Sequence, residues 1–307
     1  MSKSLLPVLR SVLSLVVAGA LGAAVVGCEP EFQDLGKRGR VVLLSSSGQS
    51  VKTTPFAVGL TTTLRYRINV SNIDGGKLKI EAEDPTLFEI QQGDYSPRIK
   101  ALRAGTTDLV FSVNGSELDR FTVFSEAVSS ISLYVDGDGV NQVLKGSTLK
   151  LPSAKPERAG GGSFYGEALS GLAITTEGEL FVDDAQTEFT ANGDGKLIFS
   201  SGDAKAELGI FAVGIDQITN LMFQVDPSPV VDRDSHQTTY FFSISGQTES
   251  GVVAGVSCDF GAVHPTLLWD NWTNKNYSLV LPTGQTQQVD CKLGDKVVTQ
   301  VLGVKPL

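Results

Sequence analysis

The feature that most constrains this chain is a period-two alternation of apolar and polar residues that begins near residue 41 and recurs along the rest of the sequence. Leu64, Tyr66, Ile68 and Val70 share one parity, as do Leu109, Phe111 and Val113, and then Phe121 and Val123. Successive side chains of a strand point to opposite faces, so this pattern makes half-buried strands, and no convincing 3.6-residue period competes with it. Gly, Asn, Asp and Ser punctuate the runs about every ten residues, and Asn114-Gly115 marks a tight hairpin turn. The expected fold class is all-β, built of antiparallel β-sandwiches. A chain of 307 residues has room for two or three such units.

An internal repeat sets their number. Leu109–Val123 (LVFSVNGSELDRFTV) aligns with Leu197–Val213 (LIFSSGDAKAELGIFAV) when two residues are inserted at the second hairpin tip. Each copy leads through a short bridge into another strand, Ile131–Asp136 or Leu221–Asp226. An offset of about ninety residues fits one sandwich per copy, with modules at 41–127, 128–217 and 218–307. Pro152–Gly166 (PSAKPERAGGGSFYG) reads as a long mobile loop interrupting the second module.

Asp84-Pro85 followed by Ile99–Phe111 (IKALRAGTTDLVF) resembles the end of a group 2 bacterial immunoglobulin-like domain. The resemblance covers 41–127 directly, 128–217 through the repeat and 218–307 by architecture alone. It implies tandem immunoglobulin-like sandwiches. It also implies a non-catalytic role as a stalk, adhesive surface or spacer on a bacterial exterior.

The N-terminus carries an address. Lys3 and Arg10 precede an uncharged run from Ser11 to Gly27, the layout of an export signal, and a cysteine follows in place of a basic stop-transfer cluster. Val25-Val26-Gly27-Cys28 resembles the lipobox of bacterial lipoproteins, which implies removal of residues 1–27, acylation of Cys28 and a membrane partner held through lipid. The alternative is an uncleaved membrane anchor. Glu29 stands where an inner-membrane retention signal has Asp, which implies delivery to the outer membrane. Cleavage removes two cations and no acid, so the formal charge moves from −9 to −11. Residues 28–40 then read as a tether.

With Cys28 lipidated, Cys258 and Cys291 remain, an even count in a compartment where disulfides persist. Val252, Ala254, Val256, Cys258 and Phe260 share one strand face, and Val289, Cys291 and Leu293 share another, so both sulfurs point inward. A bridge closing about 33 residues contributes roughly 3–4 kcal/mol; the alternative is two buried free thiols.

Candidates for chemistry are few. His236 and His264 are the two histidines, and the chain has no Gly-x-Ser-x-Gly, His-Glu-x-x-His or Cys-x-x-Cys, which argues against a Ser-His hydrolase and a zinc site. Asp136-Gly137-Asp138-Gly139-Val140-Asn141 opens like a calcium loop. It puts Val140 at the third ligand position and has no glutamate at the twelfth, so a polar turn is the better reading. Asp232, Asp234 and His236 form a second acidic loop, while Asp183-Asp184 and the pair Glu177 and Glu179 read as solvated turns and not as paired glycosidase carboxylates. No metal or cofactor is expected. The net negative charge repels nucleic acid.

Trp269, Trp272 and Tyr277 bring both tryptophans and a tyrosine among several amides, a mixture suited to stacking on sugar rings, although a tryptophan beside a disulfide is also ordinary sandwich core. The expected function is a non-enzymatic, membrane-anchored lipoprotein whose modules bind or adhere at a surface or act as a spacer, with a protein or polysaccharide partner. A carbohydrate-binding protein using the C-terminal aromatic segment is the alternative, and a lipid-anchored hydrolase has the least support. In cells fed an alkyne-tagged palmitate the chain is expected to take up label, and Cys28→Ser is expected to abolish it; mass spectrometry of the N-terminal peptide checks the position.

Overall fold

A computed structural model of the chain describes residues 32–45, 48–70, 78–93, 96–135, 141–166, 169–270 and 275–303. Among these the regular structure is β-strand, apart from one 3-10 turn at Ile215–Gln217, and no helix is long and apolar enough to cross a membrane. The fold is all-β, and among the described residues the strand pairings are antiparallel except for three short parallel ones, with one isolated parallel bridge between Val58 and Ala101.

The first ten strands are β1 (Phe32–Leu35), β2 (Val41–Ser45), β3 (Phe56–Ala57), β4 (Thr61–Thr63), β5 (Arg65–Ile68), β6 (Leu78–Ala82), β7 (Phe88–Gln91), β8 (Arg98–Ala101), β9 (Gly105–Val113) and β10 (Ser116–Glu126). They form the sheets β1-β2-β5, β4-β8-β7 and β3-β10-β9-β6. Between these sheets lies core 1, where Val41, Leu43, Leu64, Leu109, Phe111, Phe121 and Val123 are fully buried. The face that holds Leu64 and Tyr66 meets the face that holds Phe111 and Phe121. Phe111 packs edge-on against both Tyr66 and Phe121, with ring centroids 6.0 and 5.5 Å away.

Residues 32–40, expected to belong to a tether, are instead folded into this module. β1 pairs with β2, and the turn between them closes on Asp119, which is 0% exposed. The Asp119 carboxylate accepts the backbone N–H groups of Arg38, Arg40, Val41 and its own neighbour Arg120 at 2.7–2.9 Å. Gly36 lies so close that a Cβ there would collide with this carboxylate. Burial raises the Asp119 pKa, and the four backbone donors more than offset it, leaving the group below its ordinary value of 3.8.

The second group is β11 (Ser130–Tyr134), β12 (Gln142–Leu144), β13 (Thr148–Lys150), β14 (Ser153–Glu157), β15 (Ala173–Val182), β16 (Glu188–Ser201) and β17 (Ala204–Val213). Leu197, Phe199 and Ile210 sit at the centre of core 2, as Leu109, Phe111 and Val123 do in core 1. Both hairpins of the repeat close with two residues, Asn114-Gly115 and Gly202-Asp203. The two-residue insertion expected at the second tip is therefore absent. The copies differ in register instead: a bulge at Leu118 interrupts β10, whereas the β16–β17 ladder is continuous from Gly195 to Ala204.

The third group is β18 (Asn220–Val225), β19 (Val230–Asp232), β20 (Gln237–Thr248), β21 (Gly251–Ala254), β22 (Thr266–Asp270), β23 (Lys275–Pro282), β24 (Gln287–Leu293) and β25 (Lys296–Leu302). Core 3 takes Phe242, Ile244, Tyr277, Val289, Cys291 and Leu293. Cys258 and Cys291 are disulfide-bonded, with Cα atoms 5.1 Å apart. The route of Cys258 to this core differs from the single strand expected over residues 252–260. β21 stops at Ala254, Gly255 takes a left-handed φ of 77°, and the chain rejoins β24 through paired backbone hydrogen bonds between Asp259 and Lys292.

The modules are joined without linkers. Phe164 and Tyr165, in the stretch expected to be a mobile loop, are 1% and 3% exposed; Phe164 enters core 2 and Tyr165 enters core 1 against Phe56. The same stretch contributes β14, which pairs with β11 along its length. At the other boundary β12 lies parallel to both β17 and β21, so one sheet runs from the second module into the third.

Two outcomes are expected. Asp119→Asn is expected to cost about 2 kcal/mol, because a carboxamide cannot satisfy four buried donors. Since the folded-state pKa of Asp119 lies below its unfolded value, its contribution is full above the ordinary carboxylate range and is lost as pH falls through the lower folded value, so denaturant melts of the two proteins should converge at acid pH. Replacing Cys258 and Cys291 by Ser should lower the stability of the third module by about 3–4 kcal/mol, read from the same melts.

Candidate functional site

Cys28, the expected lipidation site, Trp272, and Asp136 to Val140 of the calcium-like loop lie outside the described residues. The other acidic candidates are occupied by their own turns. Asp232 accepts the Ser235 hydroxyl at 2.7 Å and the backbone N–H groups of Asp234 and Ser235, and these bonds hold its pKa below the ordinary value. His236 closes that turn in an exposed position with a φ of 53°. Asp183 accepts the N–H groups of Thr187 and Glu188 and the Thr187 hydroxyl, which lowers its pKa and shapes the β15–β16 turn. Glu177 and Glu179 are both exposed, Glu177 paired in the β15–β16 ladder and Glu179 in a bulge of β15, and His264 is exposed in a loop. Among the described residues no group of three or more His, Cys, Asp or Glu is placed to hold a metal ion.

Of the three aromatic candidates, the structure describes the side-chain surroundings of Tyr277. Tyr277 is 6% exposed inside core 3, stacked on Phe242 at 5.6 Å and edge-on to Phe260 at 5.0 Å, so its ring cannot serve as the stacking surface proposed for it. The reason is register: Tyr277 lies opposite Phe242 in the β20–β23 ladder, and that pair faces the core. Trp269 belongs to β22 and lies opposite Asn276.

Two surface features escaped the sequence reading. A cleft of about 560 Å³ opens on the third module, with Gln224, Ser243 and Asn276 along it and Phe241, Leu268 and Asp226 at its margins. A wider cleft of about 750 Å³ lies at the junction of the second and third modules, where Gln142, Asp194, Phe211 and Glu249 converge. The Asp194 carboxylate there accepts the Ala212 N–H at 2.7 Å, and Gln142 accepts the Thr248 hydroxyl at 2.8 Å. Each set comes from strands far apart in sequence, and the signal available beforehand was the outward parity of single polar residues.

No protein-family model matches the chain, and no curated protein matches it. Among solved structures, the chain is similar to domains 4–9 of the surface layer protein SbsC, at 16% identity over 78% of this chain and 42% of that chain, with a TM-score of 0.28. Domains 1–6 of the same protein align at 16% identity over 90% of this chain and 41% of that chain, with a TM-score of 0.29. A marsupial T cell receptor aligns at 10% identity over 82% of this chain and 98% of that chain, with a TM-score of 0.19. The chain thus spans less than half the length of the two surface-layer structures.

Proposed function

We propose that this chain is a non-enzymatic, lipid-anchored protein of the bacterial cell envelope whose three immunoglobulin-like modules act together as a rigid spacer or adhesive stalk. Cys28 attaches it to the outer membrane, and the modules carry a binding surface away from the anchor.

The observation that carries this reading is the pair of linker-free seams. Beads on flexible linkers diffuse independently, whereas modules that share buried side chains and strand pairing bend only by breaking both. At the first seam Phe164 and Tyr165 plug two cores, Thr61 and Ser170 exchange backbone hydrogen bonds at 2.8 and 2.9 Å, and Arg158 holds Glu126 with two side-chain bonds at 2.9 and 3.0 Å. At the second seam β12 hydrogen-bonds to a strand of each module. The disulfide closing the last module agrees with export to an oxidising compartment.

Spin labels at Lys100→Cys and Val297→Cys, exposed positions in the first and third modules, read the rigidity as a distance distribution by pulsed electron resonance. A single narrow peak is expected, and it should broaden in Phe164→Ala with Tyr165→Ala while the denaturant melt of the third module is unchanged. A broad distribution in the otherwise unmodified chain overturns the reading.

A further inference from the structure

Three adjacent strands of the third module place uncharged polar side chains side by side on the sheet face that turns away from core 3. Register sets Gln224 of β18 opposite Ser243 of β20, and Ser243 opposite Asn276 of β23. Their strand neighbours Phe223, Val225, Phe242, Ile244 and Tyr277 belong to the core, so alternation turns the three polar residues to the outer face. Two interstrand gaps make the row about 10 Å long. By register the next position, on β22, is Trp269.

This row runs along the cleft of about 560 Å³. Phe241, half-buried and two residues from Ser243, lies on the same face, and Leu268 is 38% exposed at a bulge in β22. Two carboxamides and a hydroxyl carry donors and acceptors that match the hydroxyls of a sugar ring, Phe241 and Leu268 along the cleft suit its C–H face, and the Asp226 carboxylate beside them is an acceptor for a further sugar hydroxyl. The row bears no formal charge, and the acidic chain works against a polyanion. An extended peptide would pair with a free strand edge, but this row crosses strands whose backbone groups already pair with one another.

We propose that the outer face of the third module binds a neutral pyranose glycan through Gln224, Ser243 and Asn276. The proposal stands independently of the rigidity of the stalk, since a flexible chain would bind equally well.

The test is isothermal titration of the full chain with linear hexaoses of glucose, mannose, galactose and N-acetylglucosamine. Saturable binding of at least one is expected, weakened at least tenfold in Gln224→Ala with Asn276→Ala while the thermal melt is unchanged. Should that double variant fail to fold, Ser243→Val gives the same readout from the middle of the row. Absence of saturable binding by all four sugars overturns the proposal, and so does binding that survives every substitution in the row. A sedimentation shift from dimer to monomer on Phe241→Ala would assign the face to a second copy of the chain and also overturn it.

Discussion

The structure depends on short segments whose neighbouring residues belong to different cores. Phe56 faces core 1 and Ala57 core 2; Tyr165 faces core 1 and Phe164 core 2; Val143 faces core 2 and Leu144 core 3; Val253 faces core 3 and Ala254 core 2. A strand points successive side chains in opposite directions, and at the outer surface of a sandwich one of those directions meets water. At these seams it meets the next module. Few residues are needed, because each pair brings apolar burial on both sides together with backbone pairing, as in the parallel β3–β10 and β12–β17 ladders.

The acidic excess has a structural role as well as an electrostatic one. Asp119 gathers four backbone donors, Asp34 takes the Val51 N–H and the Ser50 hydroxyl, and Asp84, Asp183 and Asp232 each accept donors within their own turns. A fold of many short strands has many turns, and each turn exposes N–H groups that a short carboxylate side chain reaches without leaving the chain. Carboxylates that look on paper like metal or catalytic candidates, Asp183 and Asp232 among them, are consumed in this way.

Much of the local structure was legible in advance. Leu109, Phe111, Phe121 and Val123 face one core as their parity required, Asn114-Gly115 turns the hairpin, and Val289, Cys291 and Leu293 share an inward face. Where the structure departs from local sequence, the cause is in each case a distant partner. Pro152–Gly166 carries the composition of a loop, and composition does not reveal that two aromatic residues within it find cores prepared by other strands. Residues 32–40 look like a tether until Asp119, about eighty positions away, supplies acceptors for their N–H groups. Tyr277 lies close in sequence to the two tryptophans, whereas its surroundings are set by Phe242 across the ladder.

The sequence by itself determined the all-β class, the repeat and the inward parity of the strands, because side-chain alternation and turn chemistry are local properties of the chain. Tertiary structure alone decided that the modules are fused and not merely strung together, and that Gln224, Ser243 and Asn276 form one row. Both depend on which strands become neighbours and in what register, and register is set by the summed burial of whole faces and not by any single segment.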